Sequence, residues 1–330
     1  MFLRRTTSAI IVQAPAKLNL HFEVLARRPD GFHDVETVMV AIDLFDTLIF
    51  RRRQPEQGPA GQGGIRFQAC WTTGMRAHAR SGRVGDEREA IWGDLPLGSD
   101  NLVVRAVELL AQRSGVPISA DISLVKRIPS AAGLGGGSSD AASALLAANE
   151  WCGLRWSRSQ LVDVAAELGS DVPFFLSGGT AVCRGRGEQV EPQFGCAPLH
   201  FVVVRPPLGL ETGQVYAECS PPLEPVSPQP LLAALQVGDP VKVGGRMMNR
   251  LEEPAVRLMP TIRELGFHMD QLNFPGHQLT GSGSSYFAVC RNKAQARRAV
   301  RHLRGCQLGH VFNATSVCVP LFRWTGCESR

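Results

Sequence analysis

Apolar and polar side chains alternate most clearly from Lys17 to Val24. Leu18, Leu20, Phe22 and Val24 are apolar, while Lys17, Asn19, His21 and Glu23 are polar. A period of two predicts a strand with the polar set on one face. A shorter strand is predicted over Ile10 to Gln13, with others over Val35 to Asp43 and Thr47 to Phe50. Between them, Arg28-Pro29-Asp30-Gly31 has the chemistry of a reversing turn. Ser119 to Lys126 alternates in the same way.

Residues 51–64, RRRQPEQGPAGQGG, break the pattern and read as a loop of low complexity. The stretch 51–98 reads largely as an insertion, with one short strand near Ile65 to Cys70. Helical periodicity follows. Asp100 or Ser99 can cap a helix over Leu102 to Arg113 that Gly115 stops. Further helices are predicted over Ser139 to Trp151 and Ser157 to Leu168. Strands are predicted at Ala181 to Arg184 and His200 to Val204, then a proline-rich loop from Ser220 to Pro230. The remainder alternates helices (around 251–258, 261–265 and 294–303) with strands (285–290 and 311–319). This mixture predicts an α+β chain.

Length and composition narrow the picture. At 330 residues the chain is long enough for about two domains. The net charge of +5 suits an anionic substrate but does not mark a nucleic-acid binder. No apolar run reaches the roughly 18 residues that span a bilayer. The run Ala9-Ile10-Ile11-Val12 is too short for the core of a signal peptide, so a cytoplasmic location is expected. The nine cysteines are odd in number, scattered and without a C-x-x-C pair. They read as free or buried thiols.

The most informative segment is Pro129-Ser130-Ala131-Ala132-Gly133-Leu134-Gly135-Gly136-Gly137-Ser138-Ser139-Asp140, between a strand and an apolar-periodic helix. Its glycines let the backbone approach a ligand closely, and the free amides at a helix start favour an anion. The segment therefore reads as a phosphate cradle, with Ser138 and Ser139 able to add hydroxyls or help hold Mg²⁺. It is not the Walker loop, because no Lys follows the glycines. A bulky residue at Gly136 is expected to weaken binding of the phosphates. In Gly169-Ser170-Asp171-Val172-Pro173-Phe174, the carboxylate of Asp171 is held in a constrained turn and can take a proton from a hydroxyl. Lys17 could stabilise charge on a transferring phosphoryl group or hold Asp171 ionised. Taken alone, Asp171 reads better as a turn or capping residue, and Lys17 as a lysine on a solvated strand face.

Pro15-Ala16-Lys17-Leu18-Asn19-Leu20, the loop from Pro129 to Asp140, and Leu279-Thr280-Gly281-Ser282-Gly283-Ser284 together resemble the three motifs of the GHMP kinase superfamily. Within it, Arg28-Pro29-Asp30-Gly31-Phe32-His33 and Gly169 to Phe174 are most similar to the 4-diphosphocytidyl-2-C-methyl-D-erythritol kinase family. The resemblance covers most of the chain outside 51–98. It implies an α+β fold of two domains, an ATP-binding domain over 1–195 and a ferredoxin-like substrate domain over 196–330, with the active site between them.

The chemistry the resemblance implies is ATP-dependent phosphorylation of the substrate's 2-hydroxyl, on the non-mevalonate route to isoprenoid precursors. It implies Asp171 as base, Lys17 as its charged partner and Gly133, Leu134, Gly135, Gly136, Gly137, Ser138 and Ser139 as the ATP phosphate loop. Asn101 and Lys126 fall near the adenine. Asn19 and Thr212 fall on the substrate side. Phe32 and Tyr216 would sandwich the cytosine while His33 reads its edge. Two departures stand out: Phe32 where the family usually has Tyr, and Arg250 within Asn249-Arg250-Leu251-Glu252, where the family has N-D-L-E. Two alternatives are another small-molecule kinase of the superfamily and a catalytically inactive nucleotide-binding regulator. Gly31-Phe32-His33 speaks against the first, and Lys17, Asp171 and the loop speak against the second. No obligate protein partner is evident.

Overall fold

The computed structural model describes residues 1–53, 64–72 and 95–317. Most of the insertion expected over 51–98, and the end of the strand predicted to reach residue 319, lie outside the described residues. The strands are β1 (Phe2–Arg5), β2 (Ala9–Arg27), β3 (His33–Arg51), β4 (Ile65–Trp71), β5 (Ala120–Lys126), β6 (Thr180–Arg184), β7 (Gln189–Gln193), β8 (His200–Arg205), β9 (Met248–Asn249), β10 (Gly276–Leu279), β11 (Tyr286–Cys290) and β12 (His310–Thr315). The helices are α1 (Leu102–Ser114), α2 (Gly136–Trp151), α3 (Arg158–Leu168), α4 (Val172–Ser177), α5 (Thr212–Ala217), α6 (Gln229–Val237), α7 (Pro240–Gly244), α8 (Glu252–Leu258), α9 (Thr261–Asp270) and α10 (Lys293–Gly305).

The first sheet runs β1-β2-β3-β5-β4, with β6 on the other stretch of β3, β7 beside β6, and β9 parallel to β2. The second is antiparallel in the order β10-β11-β8-β12. The connection between β7 and β8 spans residue 195, and β9 carries chain from the second half back to the first sheet.

The two strands predicted on either side of Pro15 are one 19-residue strand, β2. Proline is tolerated there because the register with β3 shifts between Pro15 and Ala16, where the ladder is already irregular. The two strands predicted over 35–50 likewise merge into β3. The α1 cap is corrected: Asn101, not Asp100 or Ser99, accepts from the Val103 amide at 2.9 Å. An Asx side chain one residue before the first helical turn satisfies an otherwise unpaired amide. Gly115 stops the helix at φ 70°, as expected.

Three cores stack in layers. Helices α1–α4 bury Val107, Leu110, Leu145 and Phe174 against Val12, Leu48 and Phe50 of the first sheet. That sheet packs Leu18, Leu20, Val38 and Val40 against Phe201, Val203, Phe287 and Val289 of the second. The opposite face of the second sheet, with Val202, Val204 and Ala288, meets Ile262, Val300 and Leu303 of the outer helices. Period two explains the split of β8 and β11 between two cores. The even-numbered residues of β2 enter all three cores in turn: Ile10 and Val12, then Leu18 and Leu20, then Phe22 and Val24. Its odd-numbered polar residues Lys17, Asn19, His21 and Glu23 are buried too. The polar face of this strand is therefore interior, which unpaired charges could not tolerate. Among the described residues no helix is long and apolar enough to cross a membrane.

Candidate active site

The glycine loop joins β5 to α2 and is held from three sides. Gly133 and Gly135 take φ of 72° and 70°, which favours glycine. A Cβ on Gly133 would strike the Thr280 carbonyl oxygen, and one on Gly135 would meet Phe175 and Lys17. The Lys17 amide donates to the Leu134 carbonyl at 2.9 Å, while the Leu134 side chain is buried in the core between the sheets. Leu134 thus serves the loop by its backbone. Gly136 differs from the expectation. Its φ is not positive, and a Cβ there would press on Ile128 at 2.9 Å and on Lys126 Nζ at 3.1 Å. The space behind Gly136 is filled by protein. At Gly137 a Cβ would touch only Leu102, at 3.5 Å.

Lys126 anchors the base of the loop. Its ammonium lies 2.5 Å from Asp46 and 2.6 Å from Asp140, all three buried. Burial opposes the lysine charge, but the two carboxylates outweigh it and its pKa is raised. Asp46 also accepts from the Arg127 and Ile128 amides. Asp140 closes the glycine motif but carries no sign of its partner, and Asp46 is unmarked by local sequence because it meets Lys126 only across the sheet. Asn101, besides capping α1, donates to the Pro96 carbonyl at 2.8 Å. Asn101 and Lys126 both line a cavity of about 410 Å³ with Gly135, Gly136, Gly137 and Ser138, yet both side chains are already engaged by protein.

On the other side of the loop is a larger cavity of about 870 Å³. Lys17 Nζ lies 3.6 Å from Asp171 Oδ2 at its wall, the lysine buried and the aspartate side chain 36% exposed. Asp171 stands just before α4, with Pro173 fixing the first turn. Asn19 Oδ1 accepts from Lys17 Nζ at 2.7 Å, and Asn19 Nδ2 donates to Thr37 at 2.9 Å. Asn19 is buried and both polar atoms of its side-chain amide have protein partners, so it holds the lysine from beneath. Thr280 bonds to Asn19 and reaches the Gly133 carbonyl, joining all three motifs. Asn249 donates to the Leu279 and Gly281 carbonyls at 2.9 and 2.8 Å, and Glu252 accepts from the Leu279 amide. The Asn249 to Glu252 stretch thereby braces the third motif.

Arg250, the departure within that stretch, grips Glu23 with Nε at 2.7 Å and Nη2 at 2.8 Å. Burial alone would raise the Glu23 carboxyl, but Arg250 and the Val226 and Val24 amides hold it below its ordinary 4.5.

Phe32, His33, Thr212 and Tyr216 all line the larger cavity. Their arrangement departs from the expected sandwich. His33 itself stacks on Tyr216, with centroids 5.0 Å apart and planes at 30°. Phe22 meets the Tyr216 ring edge-on. Phe32 is 51% exposed, with the Arg186 guanidinium 5.0 Å from its ring centre. Burial, then the charge of Arg27, lowers the His33 pKa, which favours a neutral ring with one donor and one acceptor. Burial, then the charge of Asp171, raises the Tyr216 phenol. Thr212 Oγ1 lies 2.9 Å from Ser282 Oγ and ties α5 to the third motif. Gly133 and Gly135 line both cavities, so the loop is their common wall.

Residues 101–179 match the family GHMP kinases N terminal domain. A curated 4-diphosphocytidyl-2-C-methyl-D-erythritol kinase of Pelotomaculum thermopropionicum is 40% identical over 89% of this chain and 94% of its own length. The Alkaliphilus metalliredigens protein of the same name is 33% identical over 88% and 91%. A crystal structure of 4-(cytidine 5'-diphospho)-2C-methyl-D-erythritol kinase superposes with a TM-score of 0.73 at 34% identity, covering 93% of this chain and 98% of the other. A homoserine kinase from Cytophaga hutchinsonii, 18% identical, shares the fold with a TM-score of 0.70 over 97% of this chain and 98% of the other.

Proposed function

The chain belongs to the 4-diphosphocytidyl-2-C-methyl-D-erythritol kinase family of the GHMP kinases, and on that footing we propose how its two cavities divide the work. It is an ATP-dependent kinase of small molecules with the two-domain α+β GHMP fold, acting in the supply of isoprenoid precursors. In our reading the smaller cavity takes ATP and the larger takes the cytidyl-linked acceptor. The γ-phosphoryl group then passes at the loop between them.

The observation that carries this reading is the Lys17–Asp171 pair, placed on the acceptor side of a glycine loop that both cavities share. The first turn of α2 offers its backbone amides and dipole to the phosphates. Asp171 accepts the proton of the 2-hydroxyl as it attacks. Lys17, held by Asn19, offsets negative charge on the group in transit. His33, neutral, can give one hydrogen bond to the cytosine edge and accept another. Mg²⁺, when bound with ATP, neutralises phosphate charge, and Mg²⁺ commonly keeps few protein ligands. Ser138, on the wall of the smaller cavity, is the hydroxyl placed to contribute one. Ser139 is buried with its hydroxyl unpartnered among the described residues, and it does not line that wall. A cytoplasmic location supplies the ATP.

A coupled ATP-turnover assay tests the reading with the cytidyl-linked substrate beside mevalonate, homoserine and galactose. Turnover should depend on the cytidyl substrate. Preference for any of the others would overturn the assignment of the larger cavity.

A further inference from the structure

The larger cavity must hold more than a base and a hydroxyl. An acceptor of the diphosphocytidyl class carries a diphosphate between its base and its polyol. If the base sits at Phe32, His33 and Tyr216 and the reacting hydroxyl at Asp171, the anionic link lies between these points. One cationic residue spans that interval. Arg186 lies in the turn between β6 and β7, flanked by Gly185 at φ 69° and Gly187 at φ 117°. A Cβ on Gly187 would stand 3.4 Å from Ser170 Cβ and 3.9 Å from Asp171 Oδ1, so the backbone next to Arg186 abuts the proposed base. Its guanidinium reaches the opposite end, 5.0 Å from the centre of the Phe32 ring. We propose that Arg186 holds the diphosphate of the acceptor, a role that rests on the reading of the larger cavity given above.

The other charges at this wall leave the place to Arg186. Lys17 is taken up by Asn19 and Asp171. Arg27 lies at the base end, near His33. Asp30 and Asp34, two residues on either side of Phe32, are both gripped by Arg28, at 3.0–3.2 and 2.9 Å, so the Arg186 charge acts on Asp30 only as a minor influence beside Arg28. Glu188 accepts from the backbone amide of Arg186 at 2.7 Å and forms a loose ion pair with its Nε at 3.8 Å, which leaves the guanidinium donors without a hydrogen bond among the described residues. The guanidinium is partly exposed and pre-positioned by an aromatic face. Its planar fork of donors suits two phosphate oxygens at once, which a point charge cannot match.

The test uses Arg186→Gln and Arg186→Lys in the full chain. Cytidine and CDP serve as competitors against the cytidyl substrate at saturating ATP. In the unaltered enzyme CDP should compete better than cytidine. Arg186→Gln should weaken CDP by roughly tenfold or more, the size of a lost charge-assisted contact, and leave cytidine unchanged. The KM for the cytidyl substrate should rise in parallel, with the KM for ATP and the melting temperature unmoved. Arg186→Lys should recover part of the loss. Equal weakening of cytidine and CDP would mean that Arg186 only supports the Phe32 ring, and it would overturn the proposal, as would an unchanged CDP constant. Failure of the unaltered enzyme to turn over the cytidyl substrate would instead refute the functional reading beneath it.

Discussion

Lys17 Nζ stands 3.6 Å from Asp171 Oδ2 and only 2.7 Å from Asn19 Oδ1. The lysine is thus fixed more tightly by the buried amide than by the carboxylate it faces. Asp171, partly open to the cavity, keeps its oxygens available to a substrate. Asp171→Asn preserves this shape and removes the proposed base. Turnover should fall by about 10²–10⁴-fold, with ATP binding retained in titration. Near-normal turnover would assign the proton to another group.

Asn19 separates positioning from binding. With Asn19→Ala, Lys17 loses its closest acceptor and Thr280 loses a partner. The expected result is a kcat lower by roughly 10- to 100-fold, since small misplacements at a reacting centre are costly. Both KM values should change little. A raised acceptor KM at normal kcat would place Asn19 in direct contact with substrate instead.

Phe32 is half in solvent, so Phe32→Ala should leave the melting temperature unchanged. Loss of one stacking face should raise the KM for the cytidyl substrate roughly tenfold, at about 1–3 kcal/mol per stacked base. The KM for ATP should hold. Tyr216 packs on His33 and Phe22, so Tyr216→Ala should lower the melting temperature as well as the affinity. Equal stability losses in the two variants would count against this contrast.

Gly136 and Gly137 answer differently to a side chain. Gly136→Ala forces a Cβ onto Ile128 and Lys126 and should lower the melting temperature, as overpacking does at about 1–3 kcal/mol. Gly137→Val has room in the protein but projects from the rim of the smaller cavity. It should fold and show weakened ATP affinity. An unchanged ATP affinity in that variant would remove the phosphates from this loop.

Restoring the family's residue at position 250 should do harm here. In Arg250→Asp the buried Glu23 loses its cation and meets a second carboxylate. The cost should be roughly 3 kcal/mol near neutral pH, by the measure of broken buried pairs. In the unaltered protein, Glu23 is held below 4.5, so its contribution is full above that pH and is lost as pH falls through the lowered value. The variant should reverse the shift, and its deficit in melting temperature should shrink as pH drops from 7 towards 4. A deficit independent of pH would exclude the pair as its cause.

The alternation in β2 and β5 was enough to locate strands, because period two survives any partner. It could not show that Lys17, Asn19, His21 and Glu23 face inward, since burial of a polar face depends on what is brought over it. The motifs around Lys17, Asp171 and the glycine loop were legible as residue types in order. Their distances were not, because Thr280 closes the arrangement from 261 residues away. Asn101 shows the opposite limit. A cap is a local feature, yet the sequence points to Asp100 or Ser99, and only the backbone geometry identifies Asn101. Arg250 read as a mismatch until Glu23, on β2, supplied its reason. The stacking of His33 on Tyr216 depends on where α5 rests, which no pattern within either segment encodes.

The wall shared at Gly133 and Gly135 has a kinetic consequence. Two ligands with separate compartments can be aboard together, and nothing in the arrangement requires the enzyme to store the phosphoryl group between them. Initial velocities should then give intersecting double-reciprocal lines for the two substrates. A single displacement at the shared edge should invert the configuration of a chirally labelled phosphorus.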